Sequence, residues 1–343
     1  MDSNKPNEDD FWNNHTLYWF EPITFIKNVH KNEISSVCVL KDGRIASSSK
    51  DKNVFVYNKN TFKIEIKIKE KKEIYYMNIN KDGILITCMN GTFLNLYEIK
   101  GKKYKNIQTI RPYPLKIDII GLFGISYLIQ KFIELKNGDL AILVWEYALC
   151  FYRKKNKSKK YSYLNKYLEK VNDNITDLIE LDYNQYCISL RYAHMIQFLD
   201  MNKQLITKNI KCEFSSHSKT QLLLMNKQDL FVVGNNDIII VDVQKKEIIK
   251  KINFRISGYF SSIYKLSENN ILAGCWLNVI EQLKYDKIKK ELKSISKTIK
   301  KIYKDFNLCY VNSISILKNN LIVTPYDNNQ FDNSSLIIYK LQK

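Results

Sequence analysis

One pattern of apolar and polar residues returns seven times along the chain, and no other feature of the sequence restricts the fold as strongly. Ile34 to Asn58 reads as an apolar strand, a polar turn with Asp42-Gly43, a second strand, a second turn and a third strand alternating with period two. The plan recurs at Ile74 to Tyr97, Ile129 to Tyr152, Ile175 to Leu199, Lys219 to Asp242, Phe260 to Leu283 and Val311 to Tyr339. The first apolar residues after the turns are Ile45, Leu85, Leu140, Tyr186, Leu230, Ile271 and Leu321, at intervals of 40, 55, 46, 44, 41 and 50 residues. Eleven residues before these anchors stand Ile34, Ile74, Ile129, Ile175, Lys219 and Phe260. In the seventh copy the turn is one residue shorter and the strand starts at Val311. Unrelated hydrophobic runs would drift out of this register.

Intervals of this size belong to the blades of a β-propeller. A blade needs four strands, and the linking segments supply the fourth, as at Phe62 to Ile68 and Glu247 to Phe254. The seventh copy has no such segment, because the chain ends within four residues of Tyr339. Ile23 to Lys27 precedes the first copy by the offset of an outer strand and is expected to pair with Leu336 to Leu341, closing the circle. The expected fold is therefore all-β, a seven-bladed β-propeller over residues 23–343 closed by an N-terminal strand, with residues 1–22 as an N-terminal extension. Between blades six and seven, Ile288, Leu292, Ile295, Ile299 and Ile302 recur at spacings of 4, 3, 4 and 3 with Lys between them. That periodicity predicts an inserted basic amphipathic helix, with the sixth blade's outer strand as the competing use of part of the segment.

The first blade resembles a WD-repeat. His30, Ser47, Asp51 and Tyr57 stand where that family carries a His before the inner strand, a hydroxyl in the second strand, an Asp in the following turn and an aromatic in the third strand. The resemblance implies a hydrogen-bonded structural network among the four and a binding platform as the function. The other blades depart from it: they lack the His, mostly lack the turn Asp, and no Trp-Asp dipeptide occurs. The absence of Gly-Gly pairs counts against a kelch propeller.

Reactive chemistry finds little material. The four His residues (His15, His30, His194, His217) include no i, i+4 pair with an acidic neighbour, and the seven cysteines include no Cys-x-x-Cys. No metal site or cofactor is expected, and the odd, scattered cysteines suit reduced thiols. Neither a Gly-x-Ser-x-Gly elbow nor a phosphate-cradling Gly-Lys-Ser/Thr loop occurs, so an enzyme is not expected. Asp327 to Asn333 lacks the mid-loop Gly and closing Glu of a calcium loop. The first ten residues are acidic and polar with no apolar run behind a basic start, so the expectation is a soluble, intracellular, cytoplasmic protein.

Binding has better candidates. Five residues past each anchor, at the turn between second and third strands, lie Lys50, Asn90, Trp145, Arg191, Asn235, Trp276 and Tyr326. Trp145, Arg191, Trp276 and Tyr326, extended by Tyr192, make a rim of the residue types that dominate interface energetics. Packing between blades is the competing role for the two Trp residues. The formal charge of +19 comes from 54 basic residues against 35 acidic ones, but only five of the basic residues are Arg. Specific phosphate and base contacts favour the guanidinium fork, so the Lys excess reads first as a solvated surface. Arg153 to Lys160 is the densest cluster, and no aromatic residue is interleaved within it. The leading function is a non-catalytic scaffold or adaptor that holds a protein or peptide, including an acidic one, on one propeller face. The alternative is a binder of RNA or anionic lipid through the Lys-rich segments. A single closed ring is complete as a monomer and suits a subunit of a larger complex.

Overall fold

The computed structural model describes residues 18–342 apart from 90–92, 112–128, 145–147, 156–158, 168–172, 174, 204, 215–219, 235, 254–259, 276–278, 299–312, 318–320 and 328–333. Five blades are separate four-stranded antiparallel sheets in which chain order equals spatial order. In blade one the strands are Ile34–Val39, Ile45–Ser49, Asn53–Tyr57 and Ile64–Lys69, from the inner strand outwards. The inner strands of blades two to seven are Ile74–Ile79, Ile129–Glu134, Ile175–Asp182, Gln221–Leu224, Phe260–Lys265 and Ser315–Ile316. Blade seven adds Leu321–Asp327 and Ser334–Gln342, and the segment Tyr18–His30 runs antiparallel along the latter as its fourth strand. Phe20 stands opposite Leu341 and Ile26 opposite Leu336. Tyr18 to Phe20 also pair in parallel with Ser296 to Thr298 of blade six, so blades six and seven form one continuous eight-stranded sheet.

The short inner turns follow from local chemistry. Gly43 and Gly83 adopt φ of +86° and +83°, which glycine enters without a Cβ clash, and their N–H groups donate to Leu40 and Asn80 carbonyls. The second strands IASSS, LITCM, LAILV and DLFVV are apolar or small throughout apart from Asp229, and every residue of these is buried. Alternation is lost there because a blade is covered on both faces by its neighbours. Core residues group into seven clusters among the described residues, and each cluster joins two adjacent blades. The last joins Val323, Leu336 and Ile338 of blade seven to Ile34, Ile45 and Tyr57 of blade one. Apolar contact therefore runs around the whole ring.

The expected helix between blades six and seven is corrected over its described part. Lys287 to Lys290 form a turn and Glu291–Thr298 is the outer strand of blade six, paired antiparallel with Ile280–Asp286. Asp286 accepts the N–H groups of Ile288 and Lys289 at 2.9 and 3.0 Å, and the chain reverses through Lys290 at φ +52°. A helix cannot contain that reversal. The supposed stripe is split: Ile288 is 93% exposed while Leu292 is buried against blade five. Ile299 and Ile302 lie outside the described residues. The same turn appears at Asp242, which accepts from Gln244 and Lys245 before Lys246 turns at φ +56°.

Candidate functional site

The inner strands all begin at one end of the disc, and their first residues surround a central cavity of about 440 Å³. Its lining includes Ser36, Tyr76, Lys131, Asp177, Gln221, Ser262 and Ser313, the third residue of each repeat. All seven carry a polar group. The register explains why: this position faces the channel and lies level with a backbone N–H of the next blade. Ser36 Oγ accepts from Met77 N–H at 3.1 Å, and Asp177 Oδ2 from Leu222 N–H at 2.9 Å. Gln221 Oε1 accepts from Ile263 N–H at 3.1 Å, and Ser313 Oγ from Val37 N–H at 3.2 Å. Each donor is the fourth residue of the following repeat. Inner strands of different blades share no ladder, so these side chains satisfy amides that would otherwise face the channel.

Blades two to four vary the theme with charge. Lys131 donates to Asp177, forming an ion pair across the blade boundary, and Tyr76 packs its ring edge-on against Phe132 with centroids 5.2 Å apart. Burial works against the Lys131 ammonium, but the Asp177 carboxylate and the Tyr76 oxygen outweigh it and hold its pKa above the usual lysine value. Lys131 is therefore a fixed cation at neutral pH, not a nucleophile. The hydroxyls are engaged as well: Thr176 Oγ1 lies 2.8 Å from both Ser189 Oγ and Thr220 Oγ1.

At the mouth of this end, two cations sit over exposed tyrosine rings. Arg191 places its guanidinium 5.6 Å from the Tyr192 ring centroid, and Lys50 its ammonium 5.8 Å from that of Tyr75. Tyr192 is 62% exposed, yet its backbone is fixed: Asp173 accepts the N–H groups of Tyr192, at 2.8 Å, and of Ala193. Lys50 also pairs with Glu33 beside it. Of the rim residues expected from sequence, Arg191 and Tyr192 thus share one turn. Tyr326 lies on Leu321–Asp327 opposite Ser335, and Trp145 and Trp276 lie outside the described residues. Tyr75 was not legible as a rim residue, because its place beside Lys50 depends on how blade two packs against blade one.

The four residues of the WD-like blade come together as one chain of bonds. His30 Nδ1 donates to Asp51 Oδ2 at 3.0 Å, Ser47 Oγ meets His30 Nε2 at 2.7 Å, and Tyr57 OH lies 2.8 Å from Ser47 Oγ. The imidazole stacks on Phe55 with centroids 4.4 Å apart. Asp51 also accepts from Lys31 N–H and Asn53 N–H. Burial alone would raise its pKa, but the His30 bond and these amides bring it down to about 2. Sequence reading missed the blade-two counterpart. Glu70 stands at the His30 position of the repeat and accepts from Thr87, Asn95 and Tyr97 at 2.6, 2.8 and 2.9 Å. The equivalence of Thr87 with Ser47 and of Tyr97 with Tyr57 in the repeat was the available signal.

Six cysteines are described, all buried and unbridged, and burial raises the Cys38 thiol to about 12. No group of three or more metal-ligating side chains occurs among the described residues, and no helix there is long and apolar enough to cross a membrane.

No family model matches the sequence, and no curated protein matches it. In three dimensions the chain is similar to the WD40 β-propeller domain of Doa1, at 12% identity and a TM-score of 0.67, over 94% of this chain and 97% of that one. A chain in the crystal structure of the mitotic checkpoint complex gives 9% and 0.71 over 100% and 97% of the two chains. The structure of U3-55K gives 11% and 0.71 over 92% and 98%. Each alignment spans nearly all of both chains, so what is shared is the whole ring.

Proposed function

We propose that the chain is a divergent WD-repeat protein whose propeller is a non-catalytic scaffold or adaptor, presenting the channel end of the disc to a protein or peptide. The observation that carries this reading is the exposed Arg191–Tyr192 pair on a turn fixed by Asp173. A large ring and a guanidinium held in place lose little entropy when a partner covers them, which is the physical basis of interface hot spots. Tyr75 under Lys50 repeats the arrangement at the boundary of blades one and two. Lys50 is already matched by Glu33, and Arg191 favours a partner that brings a carboxylate.

The bonded His30–Ser47–Asp51–Tyr57 chain and the similarity to a WD40 domain support the family assignment. The channel's polar groups bridge blades, and the Ser47–His30–Asp51 contact is sealed in the interior of blade one with Ser47 also bonded to Tyr57, out of reach of a substrate, which supports a binding role. A similar propeller occurs in a checkpoint complex, in keeping with a subunit of a larger assembly. The six described cysteines, buried and outside any disulfide, suit a reducing intracellular compartment.

The test is the double variant Arg191→Ala/Tyr192→Ala, with affinity measured for a partner identified by cross-linking. The expected result is an affinity loss of roughly thirtyfold, the size of a hot-spot pair, at an unchanged melting temperature. Unchanged affinity at unchanged melting removes the proposal, and a large drop in melting temperature assigns the pair to packing.

A further inference from the structure

The opposite end of the disc carries the turns between third and outer strands, and there the charge is distributed unevenly. Blade one contributes Lys59 and Lys63, blade two Lys100, Lys102 and Lys103, and blade three Lys154, Lys155, Lys159 and Lys160. These turns contain no Asp or Glu. The corresponding turns of blades four to six, 200–204, 242–247 and 286–291, hold six Lys against five carboxylates. One sector of the rim therefore concentrates the excess that the sequence spreads over 100 residues.

Neighbouring acids cancel it only in part: Asp42 and Glu65 are taken by Arg44, while Asp82 pairs with Lys154, and Glu98 with both Lys100 and Lys159. Lys59, Lys63, Lys103 and Lys155 make no ion pair among the described residues. Each turn is followed on its outer strand by an exposed apolar or aromatic side chain: Ile64, Tyr104, and Tyr163 with Leu164. Exposed Leu205 and Ile248 follow the turns of blades four and five too, so charge is what sets blades one to three apart.

We infer that this sector is a docking surface for an anionic lipid bilayer. Basic side chains beside an apolar fringe match the order of a membrane interface, with acidic headgroups above and the glycerol region beneath. The cations available in these turns are Lys, point charges that attract phosphate without reading a base edge or a folded shape. The one buried arginine of the sector, Arg44, is committed to Asp42, Glu65 and the Gly101 carbonyl. The Tyr104 and Tyr163 rings are engaged edge-to-face with Tyr97 and Tyr152, so they are not free platforms for stacked bases. These features favour a fluid sheet of charge over RNA. The surface lies opposite the proposed protein-binding end, so a membrane-bound propeller would leave Arg191 and Tyr192 accessible.

The experiment is co-sedimentation of the full chain with phosphatidylcholine vesicles with and without phosphatidylserine, at low and physiological salt. Two variants with equal change in charge are compared: Lys59→Glu/Lys102→Glu/Lys155→Glu, one per turn of blades one to three, and Lys203→Glu/Lys245→Glu/Lys289→Glu, one per turn of blades four to six. All six side chains are exposed and on turns of one kind. Salt-sensitive binding to the phosphatidylserine vesicles alone is expected, with a loss of about a hundredfold in the first variant and little in the second. Equal losses in both, or no vesicle binding by the parent chain, would overturn the inference. Absent vesicle binding with salt-sensitive binding to duplex RNA would reassign the surface to nucleic acid.

Discussion

At the scale of the residue, the bonds around His30 decide how blade one is held. Replacing His30 with Ala leaves Ser47 and half-buried Asp51 without their ring partner and removes the stack on Phe55, for a cost of about 3 kcal/mol by chemical denaturation. Acid acts on the same bonds. The Asp51 carboxyl has a folded pKa of about 2 against an ordinary 3.8, so its stabilisation is present above pH 3.8 and is lost as pH falls towards 2. The stability gap between the parent chain and Asp51→Asn should shrink over that interval, and a gap independent of pH would contradict the assignment. Glu70 gives a sharper test, because a carboxylate only accepts and here meets three donors. Glu70→Gln turns an NH2 group towards at least one of them, and a loss of about 2 kcal/mol is expected despite the equal shape.

Between residues and the whole ring, hairpins carry information that helical spacing concealed. Asp242-Val-Gln-Lys-Lys-Glu247 and Asp286-Lys-Ile-Lys-Lys-Glu291 share a pattern of Asp, two variable residues, Lys-Lys and Glu, and both form turns leading into outer strands. The pattern was readable, but Ile288, Leu292 and Ile295 also satisfied the spacing of a helix face. The decision came from tertiary contact: Lys290 reaches back to Asp229 of blade five at 2.7 and 2.8 Å, where Tyr285 and Asn226 also donate. Burial would raise the Asp229 pKa, and these donors lower it instead. Lys290→Met leaves that carboxylate short of its counter-ion in a site 2% exposed, at a cost of about 3 kcal/mol. Adding Asp229→Asn should recover part of the loss in a double-mutant cycle, and a purely additive result would rule out the coupling.

For the whole molecule, closure is the quantity to measure. Tyr18–His30 completes blade seven and touches blade six, while the core cluster shared by blades seven and one includes Ile26 and Val29 at its edge. Removing residues 1–28 exposes the edge of Ser334–Gln342 and opens that cluster. Calorimetry should show a lower and broader melting transition for the whole ring, and an unchanged transition would sink the closure mechanism. The two ends of the disc also differ as surfaces. One end gathers hydroxyls, an ion pair and cation-capped tyrosines around the channel, and the other gathers an excess of lysines on three neighbouring blades.

The repeat register by itself determined the seven blades and the four-strand plan, because apolar alternation and turn chemistry are local properties, and the resemblance of blade one to a WD-repeat supplied the members of the His30 network. The same register contained the polar column from Ser36 to Ser313 and the Glu70 substitution, which become readable once the copies are aligned. Tertiary structure alone decided what meets across blades: Lys131 with Asp177, Tyr75 with Lys50, Lys290 with Asp229, and the gathering of distant lysines on one sector. Those contacts join residues tens of positions apart, and their geometry follows from the angle at which one twisted sheet packs on the next.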